Sequence, residues 1–174
     1  MIILDFETNS ANIHDVIEAA AFRIKRESGA YVIADTFHRY YFSEYDLNLH
    51  ALAVHKLSPD RIKRLRSNVD YAEYFAEDHE FVEFCRGAET LIAHNIAFEL
   101  RHLGQLVTFE KHFCTMKANK KSVGALNIRG SLKNPKLLET CRHYRIDFDE
   151  DQYHSALYDV TKTLEILNCM DITL

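Results

Sequence analysis

The chain opens on an apolar run broken twice by acid. Ile2-Ile3-Leu4-Asp5-Phe6-Glu7-Thr8 reads as a short, mostly buried strand. Alternation along a strand sends Asp5 and Glu7 to one face with Ile3, and Ile2, Leu4 and Phe6 to the other. Neither face is patterned for water, so two adjacent carboxylates need a cation.

After the polar turn Asn9-Ser10-Ala11-Asn12, Val16 to Ile24 predicts a second strand, and Ser28-Gly29 turns the chain into a third from Tyr31 to Phe42. Three strands in succession predict an antiparallel meander. Leu49 to Arg66 carries two short helical patterns divided at Ser58-Pro59, where Ser58 suits an N-cap and Pro59 the first helical position. Another helix is expected over Glu77 to Arg86, ended by Gly87.

Thr90 to Ala93 gives a fourth strand, followed by a helix from Ile96 to Val107. Its apolar stripe of Ile96, Leu100, Leu103, Leu106 and Val107 includes Glu99. A fifth strand is expected near Phe113 to Met116, and a helix from Pro135 to Tyr144. The last helix, Ala156 to Met170, buries an arc of Ala156, Leu157, Val160, Leu164, Ile166, Leu167 and Met170 with Asp159 inside it. His154 stands five positions before Asp159, so the two share a site only if His154 lies in the loop leading into that helix.

At 174 residues and 47% hydrophobic content, the chain fits one domain, 1–174, with a sizeable core. No apolar run reaches membrane length and no signal-like segment opens it, so the expectation is a soluble, cytoplasmic protein without a membrane partner. Cys85, Cys114, Cys141 and Cys169 are scattered without a C-x-x-C pair and read as reduced structural thiols. A net charge of −5 argues against long-range attraction to nucleic acid. Yet between Lys111 and Arg145 the basic residues are interrupted by one acid, Glu139.

Four inward acids, Asp5, Glu7, Glu99 and Asp159, are the inventory expected for two divalent cations about 4 Å apart. A histidine at the rim has the pKa range to take a proton from a water. This combination predicts metal-assisted phosphodiester hydrolysis with no Ser or Cys nucleophile.

Three stretches then resemble ordered family motifs. Asp5-Phe6-Glu7-Thr8 looks like D-x-E-T, His94-Asn95-Ile96-Ala97-Phe98-Glu99 like H-N-x-x-F-D, and His154-Ser155-Ala156-Leu157-Tyr158-Asp159 like H-x-A-x-x-D. Together they resemble the DEDDh 3′→5′ exonucleases, and similarity in Val16 to Ile24, Ala51 to Ser58 and Leu137 to Ile146 extends the likeness over nearly the whole chain.

The resemblance implies an RNase H-like α/β fold: a mixed five-stranded sheet, first three strands antiparallel, flanked by helices. It also implies release of nucleoside 5′-monophosphates from a 3′ end with two Mg²⁺ or Mn²⁺. By position, Asp5, Glu7, Glu99 and Asp159 would be metal ligands and His154 the general base. Thr8, Asn9, His55, Asn95 and Phe98 would hold the terminal nucleotide, with Lys117, Lys120 and Lys121 along the strand of substrate. Two departures stand out: Glu99 replaces the usual Asp, and Asn9-Ser10 replaces Thr-Gly.

The partner expected is nucleic acid with a free 3′ end, single-stranded or frayed DNA before RNA. A homodimer is left open, since many relatives pair while no long exposed apolar face marks an interface. The alternatives are an exoribonuclease, a catalytically weakened nucleic-acid-binding domain, and hydrolysis of small phosphodiesters.

Overall fold

The computed structural model describes residues 1–174. Its strands are β1 (Ile2–Thr8), β2 (Val16–Glu27), β3 (Ala30–Tyr40), β4 (Thr90–Ala93) and β5 (Lys111–Cys114). They form one sheet in the order β3-β2-β1-β4-β5. The first three are antiparallel, whereas β4 runs parallel to β1 and β5 parallel to β4. This is the mixed sheet and RNase H-like arrangement expected. The hairpin between β2 and β3 closes over Ser28 and Gly29, both at positive φ, as a two-residue turn matched to strand twist requires.

The helices are α1 (Leu49–His55), α2 (Pro59–Leu65), a 3-10 turn (Phe75–Glu77), α3 (His79–Cys85), α4 (Ile96–Leu103), α5 (Thr115–Ala118), α6 (Lys120–Val123), α7 (Leu137–Tyr144) and α8 (Ala156–Cys169). Caps set several starts. The Asn48 side chain accepts from His50 and Ala51 N–H, Ser58 from Arg61 N–H, and Asp78 from Glu80 and Phe81 N–H. No helix is long and apolar enough to cross a membrane.

Several boundaries differ from the sequence reading. Helix α4 stops at Leu103, because Gly104 takes φ 56°, ψ −124°, a conformation open to glycine alone, although Leu106 and Val107 still pack against the core. Strand β5 begins at Lys111 and ends at Cys114, where the chain turns into α5. The stretch read as loop after it forms the short helices α5 and α6.

The sheet is covered on both sides. On one, Ile2, Leu4, Phe6, Ala19, Ala21, Leu91 and Ala93 pack with Phe81 and Cys85 of α3 and Ile96 and Leu103 of α4. On the other, Ile3, Ala20, Phe22 and Ile92 pack with Ala156, Val160, Leu164 and Leu167 of α8. Asp5 and Glu7 therefore belong to the α8 face, sharing it with Ile3 as alternation predicts.

Gly104 also closes tightly on the β1–β2 loop: a Cβ built there would lie 2.8 Å from His14 Cε1 and 2.9 Å from Ile13 Cγ2. Gly104→Ala is expected to destabilise the protein by roughly 1–3 kcal/mol. Urea unfolding checks this, and an unchanged midpoint would show that the loop yields freely.

Candidate active site

β1 and β4 are adjacent parallel strands, so both end on the same side of the sheet. Beyond those ends an open pocket of about 370 Å³ is lined by Asp5, Glu7 and Thr8 of β1, His94 and Asn95 after β4, Phe98 and Glu99 of α4, His154 in the turn before α8 and Asp159 in its first turn. Ala51, Val54 and His55 of α1, Leu137 of α7 and Tyr153 complete the wall. All four acids read from the sequence, and the histidine, thus meet in one cavity.

Burial makes that gathering costly. Glu99 is 2% and Asp159 6% exposed. Glu99 Oε2 and Asp159 Oδ1 are buried with no hydrogen-bond partner. Burial first, then the neighbouring acids, raises Asp5 and Glu7 well above the ordinary carboxylate range. Burial also raises Glu99, and it pushes Asp159 up to about 8 against a partial offset from the His154 backbone N–H. Orphaned carboxylate oxygens under mutual repulsion are the donor chemistry a hard divalent cation satisfies. Glu7, His154 and Asp159 bring one donor atom each within 4.8 Å of one another, a group able to hold a metal ion.

His154 lies outside α8, as its spacing requires. The turn before the helix is built on Asp149, whose carboxylate accepts from Asp151 N–H and from the Gln152 amide. His154 then takes φ 65°, and its ring stacks on Tyr153 at 3.7 Å between centroids. Burial, then Lys136 and Lys56, lower its pKa, so the imidazole is neutral near pH 7 and free to accept a proton.

The other histidines of the site are neutral for similar reasons. His55 Nδ1 accepts the Leu57 N–H at 2.9 Å, which puts the proton of the neutral ring on Nε2. That Nε2 is buried without a partner in the pocket wall, and burial lowers the group to about 4. His94 joins two segments instead: its Nε2 lies 3.2 Å from the Pro135 carbonyl and its Nδ1 3.0 Å from the Thr115 hydroxyl.

Thr8, His55, Asn95 and Phe98 line the pocket, but Asn9 does not. Asn9 is buried beside it, its amide donating to Ser43 Oγ and the Asp46 carbonyl and its Oδ1 accepting from Asn48 N–H. The side chain is spent on the loop before α1. Lys117, Lys120 and Lys121 stand on α5 and α6, outside the pocket wall. The sequence reading missed Glu18, a buried acid across the β1–β2 register from Glu7. Its one visible signal was a lone charge between Val16 and Phe22.

An exonuclease family model, RNase_T, matches residues 2–167. The chain is 27% identical to Ribonuclease T of Shewanella denitrificans over 95% of its own length and 77% of that protein. It is also 27% identical to Ribonuclease T of Shewanella frigidimarina, over 95% and 79%. Among solved structures, Exonuclease X in complex with 5′ overhanging duplex DNA has a TM-score of 0.66 at 19% identity, covering 99% of this chain and 93% of that one. E. coli Exonuclease I in complex with a dT13 oligonucleotide has a TM-score of 0.71 at 13% identity, with 96% of this chain and 40% of that one covered. These structures share the fold.

The raised carboxyls have a consequence for stability. Asp159 ionises near 3.8 in an open chain and near 8 in the fold, so between those values the folded state binds more protons than the unfolded one. Stability is therefore greatest at the acid end of that window and is lost as pH rises through it. Without metal, the melting temperature should fall from about pH 5 to about pH 8, and Asp159→Asn should flatten the fall. Saturating Mn²⁺ should restore stability at the upper end. Thermal unfolding in chelator checks this; a melting temperature that climbs with pH would contradict it.

Proposed function

We propose, from the premise that the chain belongs to the RNase_T exonuclease family, that residues 1–174 form one exonuclease domain removing nucleoside 5′-monophosphates from the 3′ ends of nucleic acid. Unpaired DNA, single-stranded or frayed from a duplex, is the preferred substrate in this reading. The observation that carries it is the convergence of Asp5, Glu7, Glu99 and Asp159 with His154 on one pocket, two of the acids keeping unpartnered buried oxygens.

Asp5, Glu7, Glu99 and Asp159 would hold two divalent cations, Mg²⁺ or Mn²⁺, which when bound supply a more acidic water and charge stabilisation at the leaving oxygen. His154, neutral and braced by Tyr153, takes the proton of the attacking water. Thr8, Asn95 and Phe98 bound the space for the terminal nucleotide. His55 offers its Nε2–H to a substrate oxygen, the partner that donor otherwise lacks. Asn9 serves the site through the loop it braces. Lys117, Lys120 and Lys121 follow phosphates further along a single strand.

A second reading, RNA as substrate, draws support from the 27% identity to two ribonuclease T proteins. Matched 3′-labelled DNA and RNA oligonucleotides incubated with Mg²⁺ or Mn²⁺ separate the two. Loss of the 3′ label as mononucleotide from DNA, faster than from RNA, is the expected result; the reverse order favours the second reading. Binding without turnover on either would leave a nucleic-acid-binding domain.

Asp5→Ala or Asp159→Ala should abolish turnover, and His154→Ala should lower kcat by about 10²–10⁴-fold. Single-turnover rates on a labelled oligonucleotide check both. A His154→Ala variant at parental rate would remove that residue from the chemistry.

A further inference from the structure

Glu18 is a buried acid to which the roles above assign nothing. We propose that it is a positioning residue: by accepting the Ser155 hydroxyl, it fixes the turn that sets His154 over the acidic pocket. Its effect on turnover rests on His154 being the proton acceptor, whereas its effect on the turn does not.

Glu18 is 1% exposed and lies in the middle of the antiparallel meander, opposite Glu7 on one side and Tyr40 on the other. Its Oε1 accepts from Ser155 Oγ at 3.2 Å and pairs with His38 Nε2 at 2.9 Å. Glu99 and Asp159 differ, since each keeps an oxygen with no protein partner. Glu18 Oε1 is engaged twice by the protein, by a hydroxyl from the turn and a ring nitrogen from β3, which is the condition of a brace.

Ser155 is the N-cap residue of α8, yet its side chain makes no capping hydrogen bond. Serine is favoured at that position because its oxygen accepts a first-turn N–H. Here the hydroxyl turns the other way and donates to the sheet. The neighbouring side-chain bonds stay local, as in Gln152 to Asp149, so Ser155 to Glu18 is the tie from residues 151–155 to β2.

That tie falls next to the one strained residue of the turn. His154 holds φ 65°, which a non-glycine side chain keeps only when its surroundings impose it. Tyr153 braces the ring on one side, and Glu18 anchors the residue that follows. His38, facing the same side of the sheet as Glu18, holds the carboxylate in place with its own ring N–H. Strands β2 and β3 and the turn before α8 thereby converge on the orientation of one imidazole.

Glu18→Gln, which retains an accepting oxygen, Glu18→Ala and Ser155→Ala test this in the full chain. Hydrogen exchange across 149–158, measured without added metal, should quicken about tenfold in both Ala variants and stay within about twofold of parent in Glu18→Gln. With a 3′-labelled oligonucleotide and Mn²⁺, kcat should fall about tenfold in each Ala variant with KM little changed, and Glu18→Gln should recover most of it. The double Ala variant should be no slower than Glu18→Ala, since one interaction is lost in either case. Parental exchange in Ser155→Ala overturns the proposal. So does a Glu18→Gln variant as impaired as Glu18→Ala, because charge would then be what matters. A parent protein without turnover counts against the proposed function alone, as the exchange comparison is scored separately. Ser155→Ala carries the comparison where Glu18→Ala does not fold.

Discussion

The cost of taking four carboxylates out of water and setting them side by side is the constraint from which this molecule's design follows. Asp5, Glu7, Glu99 and Asp159 are each displaced toward their protonated form, and in every case burial is the leading cause. An assembly like that survives only if the rest of the fold is stable enough to carry it. Here β1 sits third of five strands, with cores on both of its faces, and it supplies two of the acids. The other two arrive on helices whose apolar stripes dock against those same cores.

Much of this was legible before any fold was known. Alternation paired Asp5 with Glu7, and helical periodicity turned Glu99 and Asp159 inward. For His154, spacing said only that it could share a site with Asp159 from a non-helical position, and the resemblance to H-x-A-x-x-D supplied its role. The inward turn of the four acids needed nothing beyond local geometry. What escaped depends on contacts between distant segments. Glu18 is a single acid in an apolar strand, and its meaning came only from Glu7 opposite it and Ser155 above it. Asn9 stands next to the first motif, yet it braces a loop more than thirty positions away. A run of lysines has a composition but no direction, so Lys117, Lys120 and Lys121 could not be set relative to the pocket from sequence.

The site is also a study in local preference overridden by tertiary need. Serine at an N-cap ordinarily serves its own helix; Ser155 serves a strand instead. A non-glycine residue ordinarily avoids positive φ; His154 adopts it where the chain must lift a ring out of a helix and over a cavity. Elsewhere the caps at Asn48, Ser58 and Asp78 obey the ordinary rules.

Asp159, held near 8, enters neutral solution still largely protonated. Were divalent cations to fill the pocket as proposed, uptake would be an exchange and not an addition, with hydrogen ions leaving as metal arrives. The heat of uptake would change with the ionisation enthalpy of the buffer, and affinity would climb as the medium becomes more alkaline. A carboxylate cage of this kind would be loaded according to the acidity of its surroundings as well as the concentration of metal.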